Sequence, residues 1–268
     1  MREEIARLFA DESIEYYAAL DYSLLYEQKP HIIKKTGITP RSCIVFLIPY
    51  FTGVPENFSA YAASRDYHIF VSAVTSRLIE GLSELYPEGS FVGFGDHSPI
   101  NERGAAAAAG LGILGDSGML INEKYGTYIF IAEIVSDLEP SLIGAVPVRV
   151  PEQCSHCGSC AAACPTGILS GSSDSCLSAI TQKKGDLSEE EIALMRKYNT
   201  VWGCDICQSV CPYNSSVPET PIAFFHEEKI DRLTPDILSA MSDEEFASRA
   251  FSWRGRATVE RNLEYLGR

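Results

Sequence analysis

Cysteine spacing constrains this chain more than any other feature of its sequence. Eight of the nine cysteines lie between residues 154 and 211. A first group has the spacing C-x2-C-x2-C-x3-C-P and consists of Cys154, Cys157, Cys160 and Cys164, followed by Pro165. A second group has the spacing C-x2-C-x3-C-P and consists of Cys204, Cys207 and Cys211, followed by Pro212, with Cys176 between the groups. Eight thiolates make two sets of four.

The spacing is typical of the two-cluster iron–sulfur modules of bacterial ferredoxins, in which the cysteine before each proline binds the distant cluster. That pattern implies a first [4Fe–4S] cluster bound by Cys154, Cys157, Cys160 and Cys211. It implies a second bound by Cys164, Cys176, Cys204 and Cys207, in which Cys176 replaces the closer cysteine of an ordinary ferredoxin. Zinc sites favour paired knuckles with fewer cysteines, and disulfide frameworks belong to small secreted chains, so both alternatives are less favoured.

Length and charge set further bounds. A chain of 268 residues has room for one large domain and a small one. No apolar run reaches the roughly 20 residues of a membrane span, and the N-terminus lacks the apolar region of a secretory signal. We therefore expect a cytoplasmic protein without membrane segments. The net charge of −14 disfavours phosphate backbones as ligands unless basic residues gather on one face.

Hydrophobic patterns predict alternating helices and strands before the cysteine-rich stretch. Residues 1–42 read as a helical start. The apolar run 42–50 predicts a buried strand, in which Cys43 fills the core. Further helices are predicted at 61–85, 101–109 and 188–198, and strands at 91–94, 119–121 and 128–135, the last two forming a hairpin. A linker at 140–151 and a capping box at Ser242 to Glu245 follow.

Asp96 lies in the segment Gly95-Asp96-His97-Ser98-Pro99, directly after a predicted strand. A carboxylate at this place suits a catalytic acid, and it equally suits an ordinary turn or helix N-cap. The pattern alone leaves both readings open.

Three other segments have both an ordinary and a functional reading. Tyr67 and His68 fit a polar first helical turn better than a ligand contact. The glycine-rich loop 110–118 lacks the spacing of a nucleotide-binding motif. The tail carries a basic group that is either a solvated helix face or a phosphate-binding surface, namely Arg249, Arg254, Arg256 and Arg261.

Taken together, these stretches resemble the epoxyqueuosine reductases, the cobalamin and iron–sulfur enzymes of queuosine-tRNA synthesis. The resemblance rests on segments that occur in the family's order from about residue 40 onward: 65–68, 95–99, 109–112, 120–122, 125–127, 133–134, both cysteine groups, 203–208, 254–256 and 261–262. It implies an α/β cobalamin-binding domain, similar to that of the reductive dehalogenases, beside a two-cluster ferredoxin-like domain. The expected bounds are 1–150, 151–217 and, for a helical tail, 218–268.

The resemblance also implies a reaction. In the family, the clusters deliver electrons to cobalt, which engages the epoxide-bearing ring of epoxyqueuosine at the tRNA wobble position, and a carboxylic acid protonates the epoxide oxygen. That acid maps onto Asp96, which we expect in a dry pocket that raises its pKa. The expected cobalamin contacts are Tyr67, His68, Asp96, Gly126, Ser178 and Asp205.

Partners follow from the same resemblance: tRNA carrying epoxyqueuosine, and an external reductant such as a ferredoxin or flavodoxin. We expect a monomer, in a short form that lacks the C-terminal helical-repeat extension of many family members. Two rival functions are a cobalamin-dependent reductase of another small molecule, such as a free nucleoside or an organohalide, and a non-catalytic electron carrier. Asp96 in the acid position argues against the organohalide reading, and the large α/β region argues against the carrier.

Overall fold

The computed structural model describes residues 3–173 and 175–267, which form two compact units. Unit 1 comprises Met1–Pro49 and Phe70–His156, and unit 2 comprises Tyr50–Ile69 and Cys157–Arg268. The segment 50–69 therefore groups with the cysteine-rich half rather than with its sequence neighbours. The three-domain division expected from the sequence stays a prediction, and its outermost residues, 1, 2 and 268, lie outside the described part.

Unit 1 is built on a four-stranded antiparallel sheet with the order β1-β2-β6-β3. Its strands are β1 (Tyr17–Asp21), β2 (Ser42–Pro49), β3 (Phe91–Gly95) and β6 (Ile129–Ser136). A separate pair consists of β4 (Ile113–Leu114) and β5 (Leu120–Ile121). All eight residues of β2 are buried because this central strand is covered on both faces, as its continuous apolar run predicted.

Two sequence predictions in unit 1 are wrong. The predicted hairpin does not form, because β5 pairs with β4 while β6 pairs with β2 and β3. Only an isolated bridge between Asn122 and Gly126 folds the intervening loop back on itself. The predicted helical start is incomplete, because the edge strand β1 follows the first helix.

Four helices accompany the sheet: α1 (Glu3–Asp11), α2 (Pro30–Thr36), α3 (Tyr67–Leu85) and α4 (Glu102–Ala108). Within unit 1, α3 lies so close to β3 that side chains on the strand would clash with it. A Cβ at Gly93 would meet Thr75 Cγ2 at 1.8 Å, and one at Gly95 would meet Val71 Cγ1 at 2.6 Å. Glycine at both positions is therefore what allows this helix to pack on the sheet.

The alanine-rich helix α4 joins a hydrophobic cluster with one face of the sheet. That face carries Cys43, Val45 and Leu47 from β2, of which the first fills the core as predicted. Strand register places Glu133 opposite Val45, so this carboxyl belongs to the same face. A charged residue type thus stands in the middle of an apolar layer.

Unit 2 is made of short helices and loops. Its helices are α5 (Ser159–Ala163), α6 (Leu177–Thr181), α7 (Glu189–Tyr198), α8 (Ile206–Ser209), α9 (Pro235–Ala240), α10 (Asp243–Ala247) and α11 (Arg256–Tyr265). The predicted helix at 188–198 and the predicted capping box are confirmed, with Ser188 and Ser242 as the N-caps of α7 and α10. None of the described helices combines the length and the apolar composition that a membrane crossing requires.

Segment 50–69 is tied into unit 2 by backbone and side-chain hydrogen bonds. The Ser59 amide donates to the Trp202 carbonyl at 2.8 Å, and the Val201 amide donates to the Asn57 carbonyl at 2.7 Å. The Asn57 side chain also exchanges two hydrogen bonds with the Leu233 backbone. Trp202 is fully buried and contributes to the core of this unit.

Candidate iron–sulfur and acid site

The four cysteines of the predicted second cluster lie within electrostatic reach of one another in unit 2. Burial and the neighbouring thiols Cys176 and Cys164 raise the pKa of Cys204 to about 11. Burial and the thiols of Cys204, Cys176 and Cys164 raise the pKa of Cys207 to about 12. All nine cysteines are described, and none forms a disulfide. Four converging thiols that repel one another as thiolates are a donor set that fits an iron–sulfur cluster.

Local backbone structure presents these thiols. Gly203 has φ of 73°, a conformation that glycine adopts without strain, and it turns the chain into Cys204. Although burial opposes ionisation, hydrogen bonds from the backbone of residues 166, 167 and 169 and from the Thr166 hydroxyl lower the pKa of Cys164. This cysteine is therefore prepared for the thiolate form that a cluster ligand needs.

The predicted first set is divided between the units: Cys154 belongs to unit 1, whereas Cys157, Cys160 and Cys211 belong to unit 2. Its assignment remains a prediction. Beside Cys154 in unit 1, the His156 Nδ1 lies 2.8 Å from the Asp116 Oδ1, and ligand atoms of these three residues lie within 4.8 Å of one another. Sequence reasoning did not identify this pair, whose members are far apart along the chain.

Asp205, an expected cobalamin contact, is occupied by protein groups. Its carboxylate accepts hydrogen bonds from the Ser59 hydroxyl, the Ala60 amide at 2.6 Å and the Gln208 side-chain amide at 2.9 Å. Burial raises the pKa of Asp205, and these donors oppose that effect. Asp205 thus joins segment 50–69 to α8. These hydrogen bonds hold the backbone between Cys204 and Cys207 in place.

Tyr67 and His68 lie at the start of α3, in the part that belongs to unit 2. Their rings stack with centroids 4.1 Å apart, and the His68 Nδ1 lies 2.8 Å from the Asp66 Oδ1. The His68 side chain is about half exposed, at 55%. The pair therefore presents an aromatic and an imidazole surface with a fixed orientation.

The other two expected contacts are small groups. In unit 2, the Ser178 hydroxyl accepts a hydrogen bond from the Gln182 side chain at 3.1 Å. In unit 1, Gly126 has φ of 56°. It lies in the loop that begins at Asn122, whose side-chain amide donates a hydrogen bond to the Leu111 carbonyl. Both are polar or backbone groups of a kind that binds the amide side chains of a corrin. Their assignment remains a prediction.

Asp96 follows β3 in unit 1 with φ of 61°, a left-handed conformation that is uncommon for a residue other than glycine. The residue is exposed, so the expected dry pocket around Asp96 is wrong for this structure. The strained backbone instead projects a carboxyl at the end of a strand, where such strain often accompanies function.

Two other carboxyl groups, those of Glu102 and Glu133, are wholly or partly buried and interact with the charge of Asp96. The sequence analysis did not identify either as functional. Burial, with the charge of Asp96, raises the pKa of Glu102 to about 7. Burial, with the charges of Glu102 and Asp96, raises the pKa of Glu133 to about 8, against a lowering effect of the Ser98 hydroxyl. A signal was visible in the sequence: Glu133 interrupts an otherwise apolar strand.

The basic tail is largely used in internal contacts, which favours the structural reading of this group. Arg256 donates to the carbonyls of Leu238 and Met241 at the end of α9, at 2.6 and 3.0 Å. Arg261 donates to the Gly185 carbonyl, and Arg249 is buried against Glu228. The guanidinium of Arg254 stacks on the exposed Trp253 ring at 3.8 Å.

Comparison with known proteins identifies the family. Residues 153–214 match the family described as a 4Fe-4S double cluster binding domain. The epoxyqueuosine reductase of Lactococcus garvieae is 33% identical over 223 residues, covering 78% of this chain and 60% of that protein. That of Leadbetterella byssophila is 29% identical over 281 residues, covering 99% of this chain and 90% of that protein.

Solved structures show the same fold. Epoxyqueuosine reductase from Streptococcus thermophilus superposes with a TM-score of 0.76 at 22% identity, and that from Bacillus subtilis with 0.77 at 23%. Each comparison covers 98% of this chain and 80% of the other. The predicted α/β fold with a double-cluster domain is thus confirmed. The chain belongs to the epoxyqueuosine reductase family.

Proposed function

We propose that this protein reduces epoxyqueuosine to queuosine in tRNA. The convergence of four cysteine thiols in unit 2, in a chain whose relatives are epoxyqueuosine reductases, carries the proposal. A complex of a related enzyme with an epoxyqueuosine-modified tRNA stem loop supports the macromolecular substrate. The chain spans only 60% of the length of the Lactococcus garvieae protein. The activity and partners of this chain are therefore proposed by analogy with that enzyme.

The eight cysteines would hold the two [4Fe–4S] clusters in the sets predicted from their spacing. Their donor chemistry fits the clusters, because cluster ligands are thiolates and no disulfide competes for them. An external one-electron donor, of the ferredoxin or flavodoxin class, would reduce the clusters. Cobalamin, when bound, supplies the reducing cobalt centre for the epoxide carbon.

The residues proposed to contact cobalamin fit an amphipathic cofactor. The stacked rings of Tyr67 and His68 offer a flat surface, and Ser178 and Gly126 offer a hydroxyl and backbone groups. Asp205 acts indirectly in this proposal, since its carboxylate is already bound to Ser59 and Ala60.

Asp96 is the proposed proton donor to the epoxide oxygen. Its exposure and left-handed backbone place a carboxyl where a large substrate has access to it. The Bacillus subtilis enzyme has a catalytic aspartate on a loop that can swing out of the active site, which supports a loop aspartate in this role. Substrate and cofactor would then supply the dry surroundings that the chain alone does not.

A tRNA substrate makes the cytoplasm the proposed location, and a monomer remains our expectation. The acidic chain has few basic groups to offer to phosphates, and most of the tail arginines are engaged. We therefore propose that tRNA contacts are concentrated near the modified nucleoside, and that binding has a shallow salt dependence.

Anaerobic reconstitution with iron, sulfide and cobalamin, followed by incubation with epoxyqueuosine-containing tRNA and a strong reductant, tests the proposal. Mass analysis of the nucleosides should reveal queuosine. Intact clusters and bound cobalamin without conversion would refute the proposed reaction, and the free nucleoside would be the next substrate to assay.

The same assay tests Asp96. Asparagine tolerates left-handed backbone almost as well as aspartate, so Asp96→Asn removes the proton and keeps the conformation. We expect this variant to keep both clusters and to lose turnover by about a hundredfold or more. Asp11→Asn, a change of the same kind on the exposed end of α1, is the matched control and should retain activity. Full activity of Asp96→Asn would remove Asp96 from the mechanism.

A further inference from the structure

Glu133 is a buried carboxyl group without an ordinary hydrogen-bond partner. It has no exposed surface, and neither of its carboxyl oxygens accepts a hydrogen bond of normal geometry within the described residues. The Ser98 hydroxyl is close enough to lower the pKa of Glu133; its oxygen accepts a hydrogen bond from the Ile100 amide at 3.1 Å, and its own proton stays available to donate. Buried polar groups are nearly always paired, so an unpaired carboxyl in a core needs an explanation other than stability.

Glu102, in the first turn of α4, repeats this situation in the same region of unit 1. Its Oε2 is buried and has no hydrogen-bond partner within the described residues. The charge of Asp96 acts on both glutamates, and that of Glu102 acts on Glu133. Strand register pairs Phe94 with Glu133, so Asp96 follows only two residues after the partner of Glu133. The three carboxyls thus form a group in which Asp96 is exposed and Glu133 is fully buried.

Other ionisable groups surround the pair. Tyr22 and Cys43 act electrostatically with Glu133, and burial raises the pKa of each well above its usual range, so both stay neutral. Arg103 and Lys29 act on Glu102 and partly oppose its burial. The balance leaves the pKa of Glu102 at about 7 and that of Glu133 at about 8, so at neutral pH Glu133 is mostly protonated and Glu102 is protonated in part of the molecules.

The proposed reaction consumes two protons at one oxygen atom. Both carbon–oxygen bonds of the epoxide break, a carbon–carbon double bond forms, and the oxygen leaves as water. The two electrons come from the external one-electron donor through the clusters, and both protons must reach the departing oxygen. A single aspartic acid carries one proton, so Asp96 must be protonated again within each turnover.

We propose that Glu102 and Glu133 form a proton store that recharges Asp96 during the reaction. Each glutamic acid can release one proton toward Asp96, with the Ser98 hydroxyl beside Glu133 as a bridging group, and is reprotonated from solvent between turnovers. The two glutamates are positioning and proton-supplying residues, not residues that touch the substrate. The inference rests on the proposed reductase function and deepens it by assigning the source of the second proton.

The first test measures the pH profile of single-turnover and steady-state rates in the fully loaded enzyme. Glu133→Gln keeps the shape of the side chain but cannot release a carboxyl proton. We expect its turnover rate to fall by roughly tenfold or more. We also expect wild-type activity to fall as the pH rises through 7 to 8, and this fall to change shape in the variant. Glu133→Asp should recover part of the rate. Glu84→Gln, on an exposed part of α3, is the matched control and should behave as wild type.

The second test does not depend on turnover. Infrared difference spectra of the cluster-loaded protein across pH 5 to 9 detect protonated carboxyl groups by their carbonyl stretching band. We expect a band that titrates near neutral pH, is reduced in Glu133→Gln because only Glu102 remains, and shifts its midpoint in Asp96→Asn. Absence of any such band in the wild type would overturn the proton store.

The outcomes separate the two proposals. A wild-type enzyme that does not convert epoxyqueuosine refutes the proposed function, and with it the proton store. A wild type that converts the substrate, together with a Glu133→Gln variant of unchanged rate and pH profile, refutes the proton store alone. In that case Glu133 would be a structural carboxyl, even if the infrared band is present.

Discussion

Replacing Glu133 should change how the stability of unit 1 depends on pH. The pKa of this carboxyl is about 8 in the folded protein, against an ordinary value of 4.5. Below pH 4.5 the group is protonated in both states. Between pH 4.5 and 8 only the unfolded chain loses the proton, so unfolding releases a proton and the folded state loses stability as pH rises. Above pH 8 both states are ionised and the effect is complete.

The magnitude follows from linkage. Each pH unit within this window costs the wild type about 1.4 kcal/mol of unfolding free energy from this one group. Over the whole window, the cost approaches about 5 kcal/mol as an upper bound, and the full burial of Glu133 leaves little screening by solvent. Glu133→Gln has no such group, so it should gain stability relative to the wild type as pH rises.

Cys43 offers a direct assay. It is fully buried on the same sheet face as Glu133, and it is the one cysteine outside the two proposed cluster sets. Labelling of Cys43 by a thiol reagent in the cluster-loaded protein, quantified by peptide mass, reports opening of unit 1. The ratio of wild-type to Glu133→Gln labelling rates should rise by roughly tenfold per unit between pH 5 and 7. A ratio that is independent of pH would refute the reasoning.

Three further changes test unit 2. Gly203→Ala should destabilise it by about 1–3 kcal/mol more than Gly185→Ala, measured by urea unfolding followed by tryptophan fluorescence. Both glycines have positive φ, but only a Cβ at Gly203 meets a neighbour, the Ser59 Cβ at 2.5 Å. Equal losses of stability would contradict this. Asp205→Ala should cost about 2–4 kcal/mol by the same measurement through its lost charge-assisted hydrogen bonds, and a loss within error would show that they contribute little. Cys176→Ser should bind about half of the wild-type iron, whereas Cys43→Ala should bind all of it; undiminished iron in Cys176→Ser would exclude Cys176 as a ligand.

Local sequence patterns predicted what depends on neighbours along the chain. The run of apolar residues in β2 and the capping box at Ser242 each carry their information within a few residues, and the structure agrees with both. The cysteine spacing is local information of the same kind, and the ligand sets drawn from it stay a prediction. The predicted hairpin failed because the pairing of β6 is decided by distant partners: both neighbouring strands come from earlier in the chain. Proximity in sequence favoured pairing of β6 with β5. Instead β6 pairs with β2 and β3, where it is buried as a central strand.

The site shows the same division. The thiols could be predicted as cluster ligands because such ligands have a fixed residue type and spacing. The tail arginines could not be judged, since their acceptors are carbonyl groups such as those of Leu238 and Gly185, which only the folded chain brings near. The burial of Glu102 and the exposure of Asp96 likewise depend on which loops cover them. No periodicity in the sequence encodes that.

Segment 50–69 has a consequence for how the chain is made. Its residues leave the ribosome long before Trp202 and Leu233, with which Ser59 and Asn57 form hydrogen bonds. Unit 2 therefore cannot be completed while synthesis proceeds through unit 1, and these residues must wait for late partners. A fragment that begins at residue 157 would lack the Ser59 hydroxyl that Asp205 needs. We therefore expect that the cysteine-rich half does not fold as a detachable ferredoxin, and that cluster loading follows synthesis of the late partners up to Leu233.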